Sequence, residues 1–306
     1  MTVDDQPETE TSGSRLPARA SVGPPVRVDV DNLLSTRTYK AISAHMATTA
    51  SVSVVIPALN EAENLPHVFA TMPVWVDEVV LVDGKSKDGT VEVAQRLWPA
   101  LKVVQQPSRG KGNALLAGFA ACSGDIIVAM DADGSTDGGE IVQFVAALLA
   151  GADFAKGSRF AHAGGSSDIT ATRRYGNRIL SSLVNLLFGT RYTDLCYGFN
   201  AFWARHLDVL ALDCDGFEVE TLMNIRAAEA GLRVQEIPSY EHSRVYGSSN
   251  LRILFDGWRI ARAIVREWRR HRRTRASRFR EPAAMNVHYG SVSGQIVAVE
   301  ELFELS

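Results

Sequence analysis

From Val52 onward the chain repeats one unit: a short apolar run, a polar or glycine-rich turn, and a segment of helical composition. The runs are Val52–Pro57, Glu78–Asp83, Leu101–Gln105 and Asp125–Asp131, and the segments between them are Ala62–Met72, Asp88–Leu97 and Lys111–Cys122. Strands alternating with helices of roughly ten to fifteen residues build a mostly parallel sheet flanked by helices, an α/β fold. Asp88-Gly89-Thr90 supplies capping residues where the second helix starts. In the third, Leu115, Phe119 and Cys122 share a face with Gly118. After residue 153 the pattern loosens. It predicts a strand at Asp153–Ser158, a helix near Thr172–Phe188, a strand at Phe199–Ala204 and a helix from Phe217 to Ala230. A strand at Arg233–Ile237 and a helix near Leu251–Trp268 complete it.

Outside this unit the sequence says less. Residues 1–50 lack hydrophobic periodicity and are rich in Thr, Ser, Pro and Ala, the composition of a disordered tail. Residues 51–250 are expected to form the catalytic domain, 251–280 a basic helix, and 281–306 a tail whose apolar patch, Gln295–Val299, has no place in the pattern. A net charge of −3 gives no global reason to expect nucleic acid. The three cysteines, Cys122, Cys196 and Cys214, are odd in number and include no CxxC pair, so buried thiols are expected rather than disulfides or zinc. The most apolar stretch, Ile179–Phe188, is interrupted by Ser181, Ser182 and Asn185, too short for a membrane span. Asp4, Asp5, Glu8 and Glu10 stand where a signal peptide would be basic. A cytoplasmic protein is expected, with membrane-surface contact open.

In open parallel sheets ligands bind beyond the carboxyl ends of the strands. Asn60-Glu61 follows the first run, Asp83 ends the second, and Asp131-Ala132-Asp133 ends the fourth. Two carboxylates two residues apart can share one hard divalent cation, which also binds phosphate oxygens. Such an ion neutralises charge on a departing diphosphate. A solvated turn is the plainer alternative, since Asp and Gly favour turns anyway. Gly110-Lys111-Gly112 matches neither a P-loop nor a dinucleotide fingerprint, and its glycines are expected to permit a tight turn.

Taken in order, Val55-Ile56-Pro57-Ala58-Leu59-Asn60-Glu61, Val82-Asp83-Gly84, Gly110-Lys111-Gly112-Asn113-Ala114 and Asp131-Ala132-Asp133 resemble the motifs of family 2 glycosyltransferases with the GT-A fold. Within them the chain looks most like the dolichyl- and polyprenyl-phosphate sugar synthases. Gly157-Ser158-Arg159-Phe160, the stretch Thr193–Ala201, Asp215–Glu220 and Arg244–Asn250 continue the likeness. The resemblance implies an inverting transfer from a UDP- or GDP-sugar, with Mg²⁺ or Mn²⁺, to a polyprenyl phosphate. It places Pro57, Ala58, Asn60, Glu61, Asp83, Lys111, Asp131 and Ala132 at the donor, with Asp131 and Asp133 on the metal. It places Arg159, Arg173, Arg244 and Ser248 at the acceptor phosphate, a surface ion pair being the alternative for each of these arginines and for Arg174. Asp133, Arg159, Arg244 and Glu220 are the catalytic candidates. Glu218 and Glu220 lie two apart on one helix, so at most one faces the site. A transferase acting on a saccharide or small-molecule hydroxyl is the alternative.

Between Arg259 and Arg280 stand ten arginines and one acid, Glu267. With Leu254, Trp258, Ala261, Val265 and Trp268 at helical spacing, this reads as a surface for anionic membranes. The alternative is that the apolar stripe packs on the catalytic domain. No nucleic-acid module is present to make the basic patch an RNA or DNA site. His162, His206 and His242 lack metal-ligand spacing.

Overall fold

The structure is a computed structural model that describes residues 50–248 and 252–278. The expected tails at 1–50 (except Ala50) and 281–306, with the Gln295–Val299 patch, lie outside the described residues. A seven-stranded sheet runs in the order β3-β2-β1-β4-β7-β5-β8. Its strands are β1 Val52–Ala58, β2 Glu78–Asp83, β3 Lys102–Gln105, β4 Ile126–Ala129, β5 Phe154–Ser158, β7 Asn200–Trp203 and β8 Val234–Pro238. Two-residue strands β6, Gly165–Ser166, and β9, Tyr240–Glu241, pair separately. Only β7 runs against its neighbours, pairing antiparallel with both β4 and β5. The sheet is mostly parallel, as expected.

The helices are α1 Leu65–Thr71, α2 Thr90–Leu97, α3 Lys111–Ala121, α4 Ile141–Leu149, α5 Ala171–Phe188, α6 Leu207–Leu210, α7 Val219–Glu229 and α8 Ile253–Arg278. Successive side chains of a strand point to opposite faces, and both faces of β1 are covered. Val54 and Ile56 pack with Leu81, Val128, Phe144 and Phe199 on one side, while Val55 joins Leu115, Phe119, Phe202 and Met223 on the other. Phe202 meets Phe119 edge-on at 5.3 Å and stacks on Phe154 at 5.8 Å, contacts adding about 0.5–1.5 kcal/mol beyond burial. Helix α3 lies close because Gly118 has no Cβ to strike Val55. Cys122 caps α3 half-buried and Cys214 is buried, both as free thiols. Burial pushes the Cys122 thiol up to about 12.

Helix α8 lies within the 251–280 segment read as a basic helix. It continues ten residues past Trp268, because arginine is a good helix former and no Gly or Pro interrupts. Its buried face is Asp256, Ile260, Ala263, Ile264 and Glu267, so the stripe read from the sequence is not the face packed on the domain. Of that stripe, Trp258 is 67% exposed, whereas Ala261, Val265 and Trp268 are half-buried. The fully buried Glu267 takes the Arg226 guanidinium of α7 at 3.3 Å, which fixes the helix midpoint. No helix among the described residues is long and apolar enough to cross a membrane.

Candidate active site

The carboxyl ends of β1 and β4 open into a cavity of about 380 Å³. Pro57 and Ala58 of β1 line it with Glu61 from the turn after that strand, and Asp131, Ala132 and Asp133 from the turn after β4. Lys111, at the start of α3, closes a third side. The glycines around Lys111 serve close approach: a Cβ on Gly110 or Gly112 would strike the backbone oxygens of Asp215 and Cys214. The Gly112 and Asn113 amides instead donate to the Asp215 carbonyl, at 2.9 and 3.3 Å. These amides are taken and cradle no phosphate. What the contact does is bring α3 against the loop leading into α7, so that Lys111 Nζ lies 2.6 Å from Asp131 and 2.8 Å from Glu220. Burial opposes the ammonium charge, yet the two carboxylates prevail and raise the Lys111 pKa above its ordinary value.

Across the cavity Arg244 performs the matching role. Its Nη1 donates to Glu61 Oε1 at 3.2 Å and its Nη2 to Asp133 Oδ2 at 2.9 Å. Asp133 Oδ1 accepts from the Ser135 amide and hydroxyl. Burial and the nearby Asp133 carboxylate raise the Glu61 pKa, against the lowering influence of Asn64 and Arg244. The helical spacing of Glu218 and Glu220 has the expected result. Glu220 faces the cavity, while Glu218 pairs with Arg259 of α8 at 2.9 Å.

Arg159 lines the cavity but is deeply buried and already committed. It grips Asp194 with Nε and Nη2 at 2.7 and 3.0 Å, and Glu241 with Nη1 at 3.1 Å. Its guanidinium also lies 4.8 Å from the Tyr197 ring. Burial opposes ionisation of Asp194, yet Arg159 prevails and holds the carboxyl below its ordinary value. Removing one partner from a buried pair costs about 3–5 kcal/mol, because the other charge is stranded. Arg159→Ala is therefore expected to lower the melting temperature by roughly 10 °C or more. An unchanged melting curve with transfer lost would instead make Arg159 a direct phosphate ligand. The folded pKa of Asp194 lies below the unfolded one, so its contribution is present above the reference value of 3.8 and vanishes as pH falls through the depressed value.

Other expected residues are placed differently. Asp83 accepts from the Lys85 and Ser86 amides and from Gln105, and Asn60, at φ 57°, accepts from the Lys87 amide. Both shape the turns beside the cavity and neither lines it. Ser248 and Asn60 line a smaller cavity of about 180 Å³ that shares Leu59, Glu61 and Arg244 with the main one. Arg173 lines the main cavity, paired with Asp168 at 2.9 Å. Arg174 is exposed.

Sequence reasoning gave no site role to Asn177, Gln106, Asp168 or Glu241, which also line the cavity. Asn177 follows Arg173 by four residues on α5, a spacing that puts both on one face. Its Oδ1 accepts from the Leu195 and Cys196 amides, which fixes the amide orientation, and its buried Nδ2 has no partner among the described residues.

Six carboxylates line the cavity against four cations. Each acid is paired: Glu61 and Asp133 with Arg244, Asp131 and Glu220 with Lys111, Asp168 with Arg173, Glu241 with Arg159. A diphosphate entering this net-negative space needs an added positive charge. Among the described residues no cluster of three or more potential ligands forms a protein-only cage. Two carboxylates at the floor fit the hard divalent ion that takes its remaining ligands from substrate phosphate and water.

The mostly parallel sheet, with an acidic pair beyond the end of β4, has the GT-A architecture. The chain belongs to glycosyl transferase family 2, whose profile matches residues 53–210. Glycosyltransferase AglJ of Haloferax volcanii is 30% identical over 69% of this chain and 70% of its own. The polyprenol monophosphomannose synthase of Mycolicibacterium smegmatis is 31% identical over 72% of this chain and 87% of its own. Among solved structures, glucosyl-3-phosphoglycerate synthase of Mycobacterium tuberculosis, with Mn²⁺, UDP-glucose and phosphoglyceric acid, superposes with a TM-score of 0.55. It is 25% identical, over 74% of this chain and 82% of that one.

Proposed function

We propose that the protein moves a sugar, with inversion, from a UDP- or GDP-sugar to a polyprenyl phosphate at an anionic membrane surface. One observation carries the reading: the cavity with the acidic floor is also lined by apolar side chains of α5 and α8. Leu180 of α5, Ile253 and Ile260 of α8, and Phe217 are among its lining residues. The same two helices expose large apolar side chains, Tyr175, Ile179 and Leu186 on α5 and Phe255 and Trp258 on α8. A lipid tail and a membrane face suit such a wall better than a water-borne sugar does. Relatives named as a polyprenol monophosphomannose synthase and an undecaprenyl-phosphate mannosyltransferase support the acceptor class.

In this reading the nucleotide lies along Pro57, Ala58 and Lys111, and the diphosphate above Asp131 and Asp133. Mg²⁺ or Mn²⁺ held by those two carboxylates would neutralise charge on the departing diphosphate. The acceptor phosphate lies near Arg173, Asn177 and Arg244. Its oxygen forms a bond to C1 as the bond from C1 to the diphosphate breaks, and the nucleoside diphosphate leaves. Incubation with UDP- and GDP-sugars, with and without a short polyprenyl phosphate, tests this. Transfer to the phosphate is expected; transfer only to hydroxyl acceptors overturns it.

Attachment is proposed to be peripheral, on the cytoplasmic face of the cell membrane. Arg262, Arg269 and Arg273 are exposed and make no ion pair among the described residues. Each arginine near an anionic surface adds about 1 kcal/mol. Changing all three to Gln is expected to weaken sedimentation with phosphatidylserine vesicles about 100-fold. Binding that survives this change and 0.5 M salt would move the contact elsewhere, since screening acts within roughly 10 Å at 0.1 M.

A further inference from the structure

We infer that Arg244 makes the site selective for a divalent ion arriving with a diphosphate over the free ion, by standing as counterion to Asp133 until both arrive. The inference rests on the metal-dependent reading above. Asp133 Oδ1 is taken by the Ser135 amide and hydroxyl, so an incoming ion must use Oδ2, the oxygen Arg244 holds at 2.9 Å. The guanidinium is placed there by its loop. The Tyr246 amide donates to Asn64 Oδ1 at 2.9 Å, Asn64 Nδ2 donates back to the Tyr246 carbonyl at 3.2 Å, and the His242 amide donates to the Ser135 carbonyl at 2.8 Å. Both ends of the segment carrying Arg244 are therefore tied to the acidic floor and its flank.

A free dication entering at Asp133 meets a fixed positive charge within ion-pairing distance. It must displace Arg244 or bind beside it, and either weakens binding. A diphosphate changes the balance, because it gives the guanidinium a new anionic partner and the ion new oxygen ligands. Arg244 keeps Glu61 Oε1 as its second anchor, at 3.2 Å, so the exchange at Asp133 requires no departure of the loop. Ion and nucleotide then bind with positive coupling, and linkage makes that coupling equal in both directions.

The test is titration of the full chain with Mn²⁺, followed by the paramagnetic signal of free Mn²⁺, with and without UDP or GDP. Wild type is expected to bind Mn²⁺ weakly alone and more tightly with nucleotide. R244Q is expected to bind Mn²⁺ alone about tenfold more tightly, with the nucleotide-induced gain reduced by the same factor, within the usual range of coupling. R244K keeps the charge and should behave as wild type toward free Mn²⁺, which also controls for damage to the fold. If R244Q binds free Mn²⁺ no more tightly than wild type, while both gain affinity with nucleotide and D133N does not, the counterion role is wrong and the metal reading stands. If no variant binds Mn²⁺ with either nucleotide, the metal reading itself fails and takes this inference with it.

Discussion

Asp133→Ala is expected to abolish sugar transfer, by about 10³-fold or more, while the melting temperature moves by no more than about 4 °C. The rate estimate follows from the charge that develops on the departing diphosphate. A bound Lewis acid stabilises that charge by several kcal/mol, and each 1.4 kcal/mol is tenfold in rate. The small stability effect follows from local geometry. Asp133 is half-buried, and its loss leaves Arg244 still paired with Glu61. Partly exposed pairs of this kind contribute only about 0–1 kcal/mol. Steady-state rates on the donor and acceptor pair, with melting curves of the donor-free protein, check both halves. Full wild-type activity in excess chelator would sink the assignment of Asp133 to a metal.

The floor of this site was legible because its residues are local in sequence. A buried strand followed by Asp131-Ala132-Asp133 announces, within nine residues from Asp125 to Asp133, both the strand and the carboxylate pair at its end. The four parallel strands β1 to β4 were legible for the same reason, with boundaries within two residues of the structure. What could not be read is the pairing between distant segments. Arg159 meets Asp194 and Glu241, which lie 35 and 82 residues away. Nothing at Arg159 itself distinguishes a buried clamp from a phosphate ligand. Helix α4 escaped notice because Ile141–Leu149 is apolar except for Gln143, so no polar face reveals its period. The insertion of β7 between β4 and β5 is likewise topological: an apolar run predicts a strand, not its neighbours. The buried face of α8 was hidden for a different reason. Glu267 is an acid in a run of arginines, and only the structure shows that it is the buried anchor.

Glu220→Gln is expected to keep most transfer to a short polyprenyl phosphate, whereas Arg244→Ala should lose it about 10²–10³-fold, the scale of removing one group aimed at developing charge. A hydroxyl acceptor must lose a proton as it attacks, and a positioned base supplies about 10²–10⁴-fold for that step. Glu220 is buried and its Oε1 lies 2.8 Å from the Lys111 ammonium, a poor setting for accepting a proton. The other five cavity carboxylates are paired as well. A phosphate monoester arrives already ionised and asks instead for positive charge and hydrogen-bond donors. In the proposed reading Arg244 would supply the first beside the donor, and Arg173 with Asn177 Nδ2, which has no partner among the described residues, would supply both for the acceptor. Arg173→Ala and Asn177→Leu are accordingly expected to raise KM for the acceptor more than they lower kcat. Arg159 cannot serve in this ranking, because its loss would be read through the stability of Asp194 and Glu241. If Glu220→Gln is inactive while Arg244→Ala and Arg173→Ala run near the wild-type rate, proton removal limits the reaction. The acceptor is then a hydroxyl, and Glu220 is released by Lys111 to act as its base.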